Sequence, residues 1–140
     1  MCKYQSAAAL VGRILLSLIF ILSGLTKFSE FSTTAEHVAE QGVVLAPLML
    51  AIATMLELAG GIGLLLGFQT RLSALALIVF MVPVTLIMHD FWQFEGQAQT
   101  QELVNFMKNL TITGGLVFAM AFGGGGWSLD ARRTPQPARM

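Results

Sequence analysis

Charged residues are scarce in this chain: they make up 11% of its 140 residues, against roughly 25% in a typical soluble domain. Hydrophobic residues make up 55%, and the mean hydropathy is +0.72. So few charges could not cover the surface of a soluble domain with polar groups. Basic and acidic residues number eight each, so no net field indicates nucleic acid as a partner.

Cysteine is limited to Cys2, which excludes an internal disulfide and a redox CxxC pair. The sequence also lacks a haem-ligand histidine pair, a flavin or dinucleotide fingerprint, a phosphate loop and a nucleophile motif. The glycines at 123–126 are not followed by Lys-Ser/Thr, so they indicate the end of a helix. We therefore expect no metal site and no evident cofactor, and whether the chain is an enzyme stays open.

Long apolar runs are abundant, and four of them approach the ~20 residues that cross a bilayer. Between Leu72 and Met88 the polar side chains are Ser73 and Thr85, too few for the polar outer face of a soluble bundle. The sequence predicts an all-α, polytopic four-helix transmembrane bundle in one domain, 1–133, followed by a short disordered cytoplasmic tail, 134–140. The predicted spans are 8–28, 45–67, 71–90 and 105–124.

The charges divide between the two sides of such a bundle. Most lysines and arginines fall on the side of the termini, and most acids fall on the other side. The positive-inside rule then predicts that both termini are cytoplasmic and that loops 29–44 and 91–104 face outward. The predicted location is the bacterial inner membrane.

The informative residues are polar ones inside the spans. Arg13 and Lys27 lie on one face of the first helix, which should look into the bundle. Glu57 lies near the middle of the second span, too deep to reach the headgroups, so it needs a partner, a proton or water. We expect Glu57 inside the bundle, in a polar network with at least one of Arg13, Lys27 and Lys108.

These positions predict a polar cavity in the outer half of the bundle, with Glu57 at its floor as a proton carrier. Arg13 is expected below Glu57 as its structural ion-pair partner. The expected ligand-binding residues are Lys27, His89, Trp92, Asn105, Lys108 and Asn109.

Each residue also has a structural explanation. Lys27, Lys108 and Arg13 could extend to the headgroups, and His89 with Trp92 could anchor the interface. The glycines of the spans, including the pair at 114–115, are expected to be packing residues. Glu57 could belong to an ion pair that only fixes helix packing.

The order of these residues resembles the DoxX family of small bacterial inner-membrane proteins. The resemblance covers about residues 10–133 and is greatest to uncharacterised members. It rests on Gly-Arg and Lys in the first helix, Glu in the second, Gly-x-x-Thr-Arg at the turn, His-x-x-Trp, and Asn-x-x-Lys-Asn. The matching stretches are "GRILLSLIFILSGLTKF", "LELAGGIGLLLGFQTRLSAL", "HDFW" and "NFMKNLTITGGL".

The resemblance implies a four-helix membrane bundle linked to oxidoreductase assemblies, such as a thiosulfate:quinone oxidoreductase subunit or a complex that handles thiol and oxidative stress. The first hypothesis is therefore a subunit of a quinone- or thiol-linked redox system, with quinone as a candidate ligand. The alternatives are a non-enzymatic carrier of small solutes and a structural membrane scaffold. The expected partners are the lipid bilayer, a redox protein and a second copy of the chain.

Overall fold

A computed structural model describes residues 3–133, and all regular structure in that range is helical. Cys2 and the expected tail 134–140 lie outside the described residues. The helices, in chain order, are α1 (Lys3–Ser29), α2 (Phe31–Glu40), α3 (Ala46–Leu66), α4 (Thr70–Met88), a 3₁₀ turn (Phe91–Gln93), α5 (Gly96–Phe122) and α6 (Leu129–Arg133).

Four helices are long and apolar enough to cross a membrane: α1, α3, α4 with the following turn, and α5. This confirms the predicted all-α polytopic fold. An even number of crossings puts both ends of the described chain on one side, here called the terminal side. The opposite end, which carries α2 and the 3₁₀ turn, is called the loop side.

Helix boundaries differ from the prediction in the two loop-side connections. The region 29–44, expected as a loop, contains α2, whose Ala35 is buried. Helix α5 begins at Gly96, nine residues before the predicted span. Both segments are rich in Glu, Gln and Thr, and so they fall below the hydropathy of a membrane span although their residues can form helices.

Helix α1 packs antiparallel against α3 along the face that the sequence predicted. Arg13, Ser17, Phe20 and Gly24 are buried on that face. A Cβ atom at Gly24 would lie 2.6 Å from a Leu58 methyl, so glycine is required for this approach. The close packing fixes the depth of α1 against α3.

Helices α3 and α4 form the expected tight hairpin. Helix α3 ends at Leu66 and α4 begins at Thr70. Near the turn, a Cβ at Gly60 would lie 2.7 Å from Leu77, which shows how closely the two helices approach there. Leu77 belongs to the main apolar core, together with Phe20, Leu64, Ala74, Phe80, Met81 and Leu116.

Helix α5 packs mainly on α4 and only sparsely on α1. Its contact with α1 includes Gly115, where an added Cβ would lie 3.0 Å from Leu16, whereas Gly114 faces open space. The expectation of close contact therefore holds for Gly115 and is wrong for Gly114. Helix α5 ends at Phe122, before the glycine run, as the sequence predicted.

Candidate functional site

Glu57 lies eleven residues into α3, about 16 Å from the start of the helix at 1.5 Å per residue. The residue is only 2% exposed and lies inside the bundle. Lys27 Nζ donates a hydrogen bond to Glu57 Oε2 at 2.7 Å and another to Ser23 Oγ at 2.7 Å. The ammonium group also lies 5.5 Å from the centre of the Phe80 ring. The predicted location of Glu57 and its pairing with a basic residue are thus confirmed.

A cavity of about 350 Å³ surrounds this ion pair in the loop-side half of the bundle. Helices α1, α3, α4 and α5 all contribute to its wall. Five residues expected at the site line it together: Lys27, Glu57, His89, Lys108 and Asn109. The remaining lining is largely apolar, which strengthens any charge interaction inside.

His89 directly follows Met88, the last residue of α4, and its side chain is held by a residue that the sequence did not single out. His89 Nδ1 lies 2.8 Å from Glu102 Oε2, across the connection between α4 and α5. Because a carboxylate accepts hydrogen bonds, Nδ1 carries the proton in this contact, and Nε2 is the nitrogen left for a ligand or a proton. Glu102 therefore acts as a positioning residue for His89.

Lys108 enters the cavity from α5 and is paired differently from Lys27. Its Nζ donates a hydrogen bond to Asn105 Oδ1 at 3.2 Å. Among residues 3–133, no carboxylate lies within 4.0 Å of the Lys108 ammonium. Asn105 orients Lys108 without lining the cavity, whereas the buried Asn109 lines it. Lys108 is thus a cation at the cavity wall without a matching anion.

Trp92 lies apart from this group. Its ring makes edge contacts with Phe91 and Phe106, at centroid distances of 5.2 Å and 6.3 Å. The side chain is half-exposed and does not line the cavity. This geometry is that of an aromatic anchor at the loop-side end of the bundle.

Thr54 is a second residue that sequence reasoning missed. It lies three residues before Glu57 on α3 and is buried, and its hydroxyl has no hydrogen-bond partner within the described part of the chain. A buried hydroxyl without a partner is uncommon, since native structures satisfy nearly all such groups. Residues three apart share a helix face, so Thr54 adds polarity close to Glu57.

Comparison with known proteins bears on this arrangement. The DoxX family model matches residues 8–90, more than half of the chain. The chain belongs to the DoxX family. The match includes Arg13, Lys27, Glu57 and His89, and it ends before α5, which carries Lys108.

Curated relatives agree with membership of the DoxX family. The inner membrane protein YphA of Escherichia coli (strain K12) is 34% identical over 88% of this chain and 88% of its own length. The inner membrane protein YqjF of the same strain is 33% identical over 93% of this chain and 95% of its own length. With the four apolar helices, these relatives indicate a multi-pass inner-membrane protein.

A more distant relative is the Surfeit locus protein 4 homolog of Drosophila melanogaster. It is 26% identical over 94% of this chain, which corresponds to 43% of that protein. No solved structure matches this DoxX-family chain significantly.

Arg13 does not pair with Glu57, so that expectation was wrong. Fourteen residues separate Arg13 from Lys27, about 21 Å along α1, which places Arg13 in the terminal-side half. There its Nη2 donates a hydrogen bond to the carbonyl oxygen of Trp127 at 2.5 Å. The arginine is 3% exposed and fills the space beside Gly67, where a Cβ atom would overlap it.

Asp130 completes this terminal-side cluster and was also missed from the sequence. Its carboxylate accepts hydrogen bonds from the backbone N–H groups of Gln69 and Thr70, at 2.7 and 2.8 Å, and from the Thr70 hydroxyl. Burial alone would raise the pKa of Asp130, but these hydrogen bonds and the charge of Arg133 together lower it. Asp130 therefore caps the start of α4 as an anion.

Proposed function

We propose that this DoxX-family protein is a subunit of a quinone- or thiol-linked membrane redox system and binds a compact polar group in the loop-side cavity. The observation that carries the proposal is the Lys27–Glu57 pair, enclosed in a cavity that Lys108 also lines. A buried ionic group inside a membrane bundle marks a functional site more often than a packing feature.

The charges of the cavity favour oxygen-rich ligands. Lys27 and Lys108 contribute two cations, and Glu57 contributes one anion. The carboxylate of Glu102 is not counted, since it is hydrogen-bonded to His89. The excess cation suits an anionic oxygen or a polarised carbonyl, and the low-dielectric wall increases that preference. Glu57 is the group that can take up or release a proton beside the ligand, which general acid–base chemistry requires.

A quinone head fits this donor set. Its carbonyl oxygens need hydrogen-bond donors, which the ammonium groups of Lys27 and Lys108 offer from two different helices, α1 and α5. A bound quinone would supply two-electron chemistry. The chain would orient the ring and hold a proton at Glu57, while a redox protein partner would exchange electrons with it. A thiol-type ligand would use the same cations to hold its thiolate or carboxylate.

The distribution of basic residues supports a periplasmic opening for the cavity. Among the described residues, the terminal side carries Lys3, Arg13, Arg71, Arg132 and Arg133, whereas the loop side carries Lys27 and Lys108. This excess of basic residues favours cytoplasmic termini. The ligand would then enter from the outer leaflet or the periplasm.

Equilibrium binding tests the proposal in nanodiscs, with a quinone that lacks a long side chain and with a low-mass thiol as probes. Lys108→Gln should weaken binding of the accepted probe about 10-fold or more, the loss expected for one charge-assisted hydrogen bond. Glu57→Gln should abolish proton uptake or release on binding. Arg132→Gln, on the terminal side, is the matched control and should bind like the wild type. If neither probe binds, or if Lys108→Gln has no effect, the proposed function is wrong.

A solute carrier is the second candidate, and one observation favours it. A smaller cavity of about 230 Å³ lies between α1 and α5 in the terminal-side half and is lined by Arg13. Leu16 and Gly115 both line this cavity, and an added Cβ at Gly115 would lie 3.0 Å from Leu16. Residues of α1 and α5 line both this cavity and the loop-side one, which is compatible with a path across the bundle. Transport would be supported if proteoliposomes take up a labelled probe and the variant Gly115→Leu, whose larger side chain would occupy the space beside Leu16, does not.

A further inference from the structure

A second loop-side cavity, of about 300 Å³, lies between α2, α3 and α4 and is here called the apolar groove. Its polar lining is limited to Lys27 and Thr34. The rest of its lining is apolar and includes Val38 of α2, Ile52 and Ala53 of α3, and Val79, Pro83 and Ile87 of α4.

The sequence explains why a space remains here. On the terminal side, Gly60 and Gly63 let α3 approach Leu77 and Ser73 of α4 closely. The loop-side half of α3 has no glycine, and α4 carries Pro83 on the groove, where a proline removes one helix hydrogen bond. Helix α2 covers the loop-side end through Thr34 and Val38.

The apolar groove and the polar cavity adjoin. Lys27, Phe80, Val84 and Met88 line both spaces. The three α4 residues lie four apart, so they form one continuous stripe along the helix. Lys27 stands at this boundary, with its ammonium group bonded to Glu57 and placed over the Phe80 ring.

The groove opens sideways, towards lipid. Ile52 of α3 and Val79 and Ile87 of α4 line it and are also exposed on the outside of the bundle. All three lie within predicted membrane spans, so their exposed surfaces meet hydrocarbon chains. A ligand that uses this opening would come from the membrane.

We propose that the polar cavity and the apolar groove form one binding site for a membrane-soluble amphiphile. Its compact head, with carbonyl or anionic oxygens, occupies the polar cavity near Lys27 and Lys108. Its hydrocarbon chain passes the stripe of Phe80, Val84 and Met88 and lies in the apolar groove. The position of the head rests on the proposed function, whereas the position of the chain rests on the groove alone. A prenylquinone and a long-chain fatty acid share this chemistry, and the experiment separates them.

The test must locate the hydrocarbon chain of the ligand directly, because a binding affinity does not show where that chain lies. A chain that moves from lipid into an apolar groove leaves one hydrocarbon environment for another, so the hydrophobic effect contributes little. Chain length should therefore change the measured affinity weakly while the groove still fixes where the chain lies.

Photo-crosslinking in nanodiscs locates it. The two probes are a prenylquinone and a fatty acid, each with a diazirine in the middle of its chain, and the labelled residues are read by mass spectrometry. We expect one probe to label groove residues, above all Val79, Pro83 and Ile87, and its unlabelled parent to reduce that labelling at least fivefold. The probe that does so identifies the source of the ligand.

Variants of the groove provide the controls. Ala53→Phe should fill the groove and abolish its labelling, and Ala59→Phe, the same change on the exposed face of α3, should not. Val79→Trp narrows the lipid-facing opening of the groove from an exposed position, and it replaces Ala53→Phe as the test variant if Ala53→Phe fails to fold. Binding of the chainless quinone should survive all three substitutions.

The possible failures are distinguishable. Labelling spread evenly over all lipid-facing helices, or unchanged by Ala53→Phe and Val79→Trp, overturns the inference even if the chainless probe binds. Groove labelling that is competed and lost in Ala53→Phe supports the groove even if Lys108→Gln has no effect. In that second case the proposed function of the polar cavity fails instead.

Discussion

The two members of the Lys27–Glu57 pair should differ in what their removal costs. The Glu57 side chain is 3% exposed, whereas that of Lys27 is 23% exposed. Lys27→Met leaves a carboxylate in the bundle interior without its cation. Glu57→Gln leaves a lysine that keeps the Ser23 hydroxyl and the Phe80 ring, and that can extend from the last turn of α1 towards the headgroups.

The magnitudes follow from these surroundings. Breaking a buried ion pair from one side costs about 3–5 kcal/mol, and we expect Lys27→Met to fall in this range. Glu57→Gln keeps an acceptor of nearly the same shape and exchanges the ion pair for a hydrogen bond from the Lys27 ammonium to a neutral amide oxygen, which should cost about 1–2 kcal/mol. The double variant should cost little more than Glu57→Gln alone, so the coupling energy should be at least about 2 kcal/mol.

Reversible unfolding in mixed micelles, followed by circular dichroism, measures these free energies for the wild type, both single variants and the double variant. Lys108→Met combined with Glu57→Gln is the control cycle, because no ion pair joins those side chains. Its two costs should add within about 0.5 kcal/mol. The reasoning is refuted if the costs of Lys27→Met and Glu57→Gln also add within about 0.5 kcal/mol in the double variant, or if Glu57→Gln lowers the free energy of unfolding more than Lys27→Met does.

Two further predictions concern the terminal side. Asp130→Ala should cost about 1–2 kcal/mol at neutral pH, the usual value of a helix cap. Because the pKa of Asp130 is lowered in the fold, its stabilisation is present above the ordinary carboxyl pKa of about 4 and is lost as the pH falls through the lowered value. Thermal unfolding of both proteins from pH 7 to about pH 2 should therefore show a shrinking difference, and a constant difference would contradict this. Gly67→Ala should destabilise by at least about 1 kcal/mol in the same assay, since Gly67 has φ +65° and abuts Arg13. Gly114→Ala, in open space, is its control and should leave the stability almost unchanged.

The sequence was sufficient where one residue determines its own environment. Runs of apolar residues located the spans, and the helical period placed Arg13, Phe20 and Gly24 on one buried face. Glu57 had to lie inside the bundle because lipid offers a carboxylate no partner. These inferences need no knowledge of which helices are neighbours.

The sequence was insufficient where a partner comes from a distant segment. Arg13 is bonded to the Trp127 carbonyl oxygen, 114 residues away, and a backbone carbonyl leaves no trace in the residue pattern. Glu102 was missed because the first turns of α5 are polar and were assigned to a loop. The role of Asp130 was missed for a similar reason. Capping residues are sought next to the start of a helix, whereas Asp130 lies 60 residues after Thr70, the first residue of α4.

The cap that Asp130 places on α4 also affects the order in which parts of the protein fold during synthesis. The N–H groups of Gln69 and Thr70 leave the ribosome with the α3–α4 hairpin, but their acceptor, Asp130, emerges only after all of α5. Until then Gln69 must hold its left-handed conformation, with φ of 43°, without that support. The glycine contacts can assemble the hairpin early, whereas its turn is secured at the end of synthesis. A ribosome that stalls within α5 would thus leave a membrane intermediate in which α1, α3 and α4 can pack but the turn between α3 and α4 is unfinished and exposed to proteases on the terminal side.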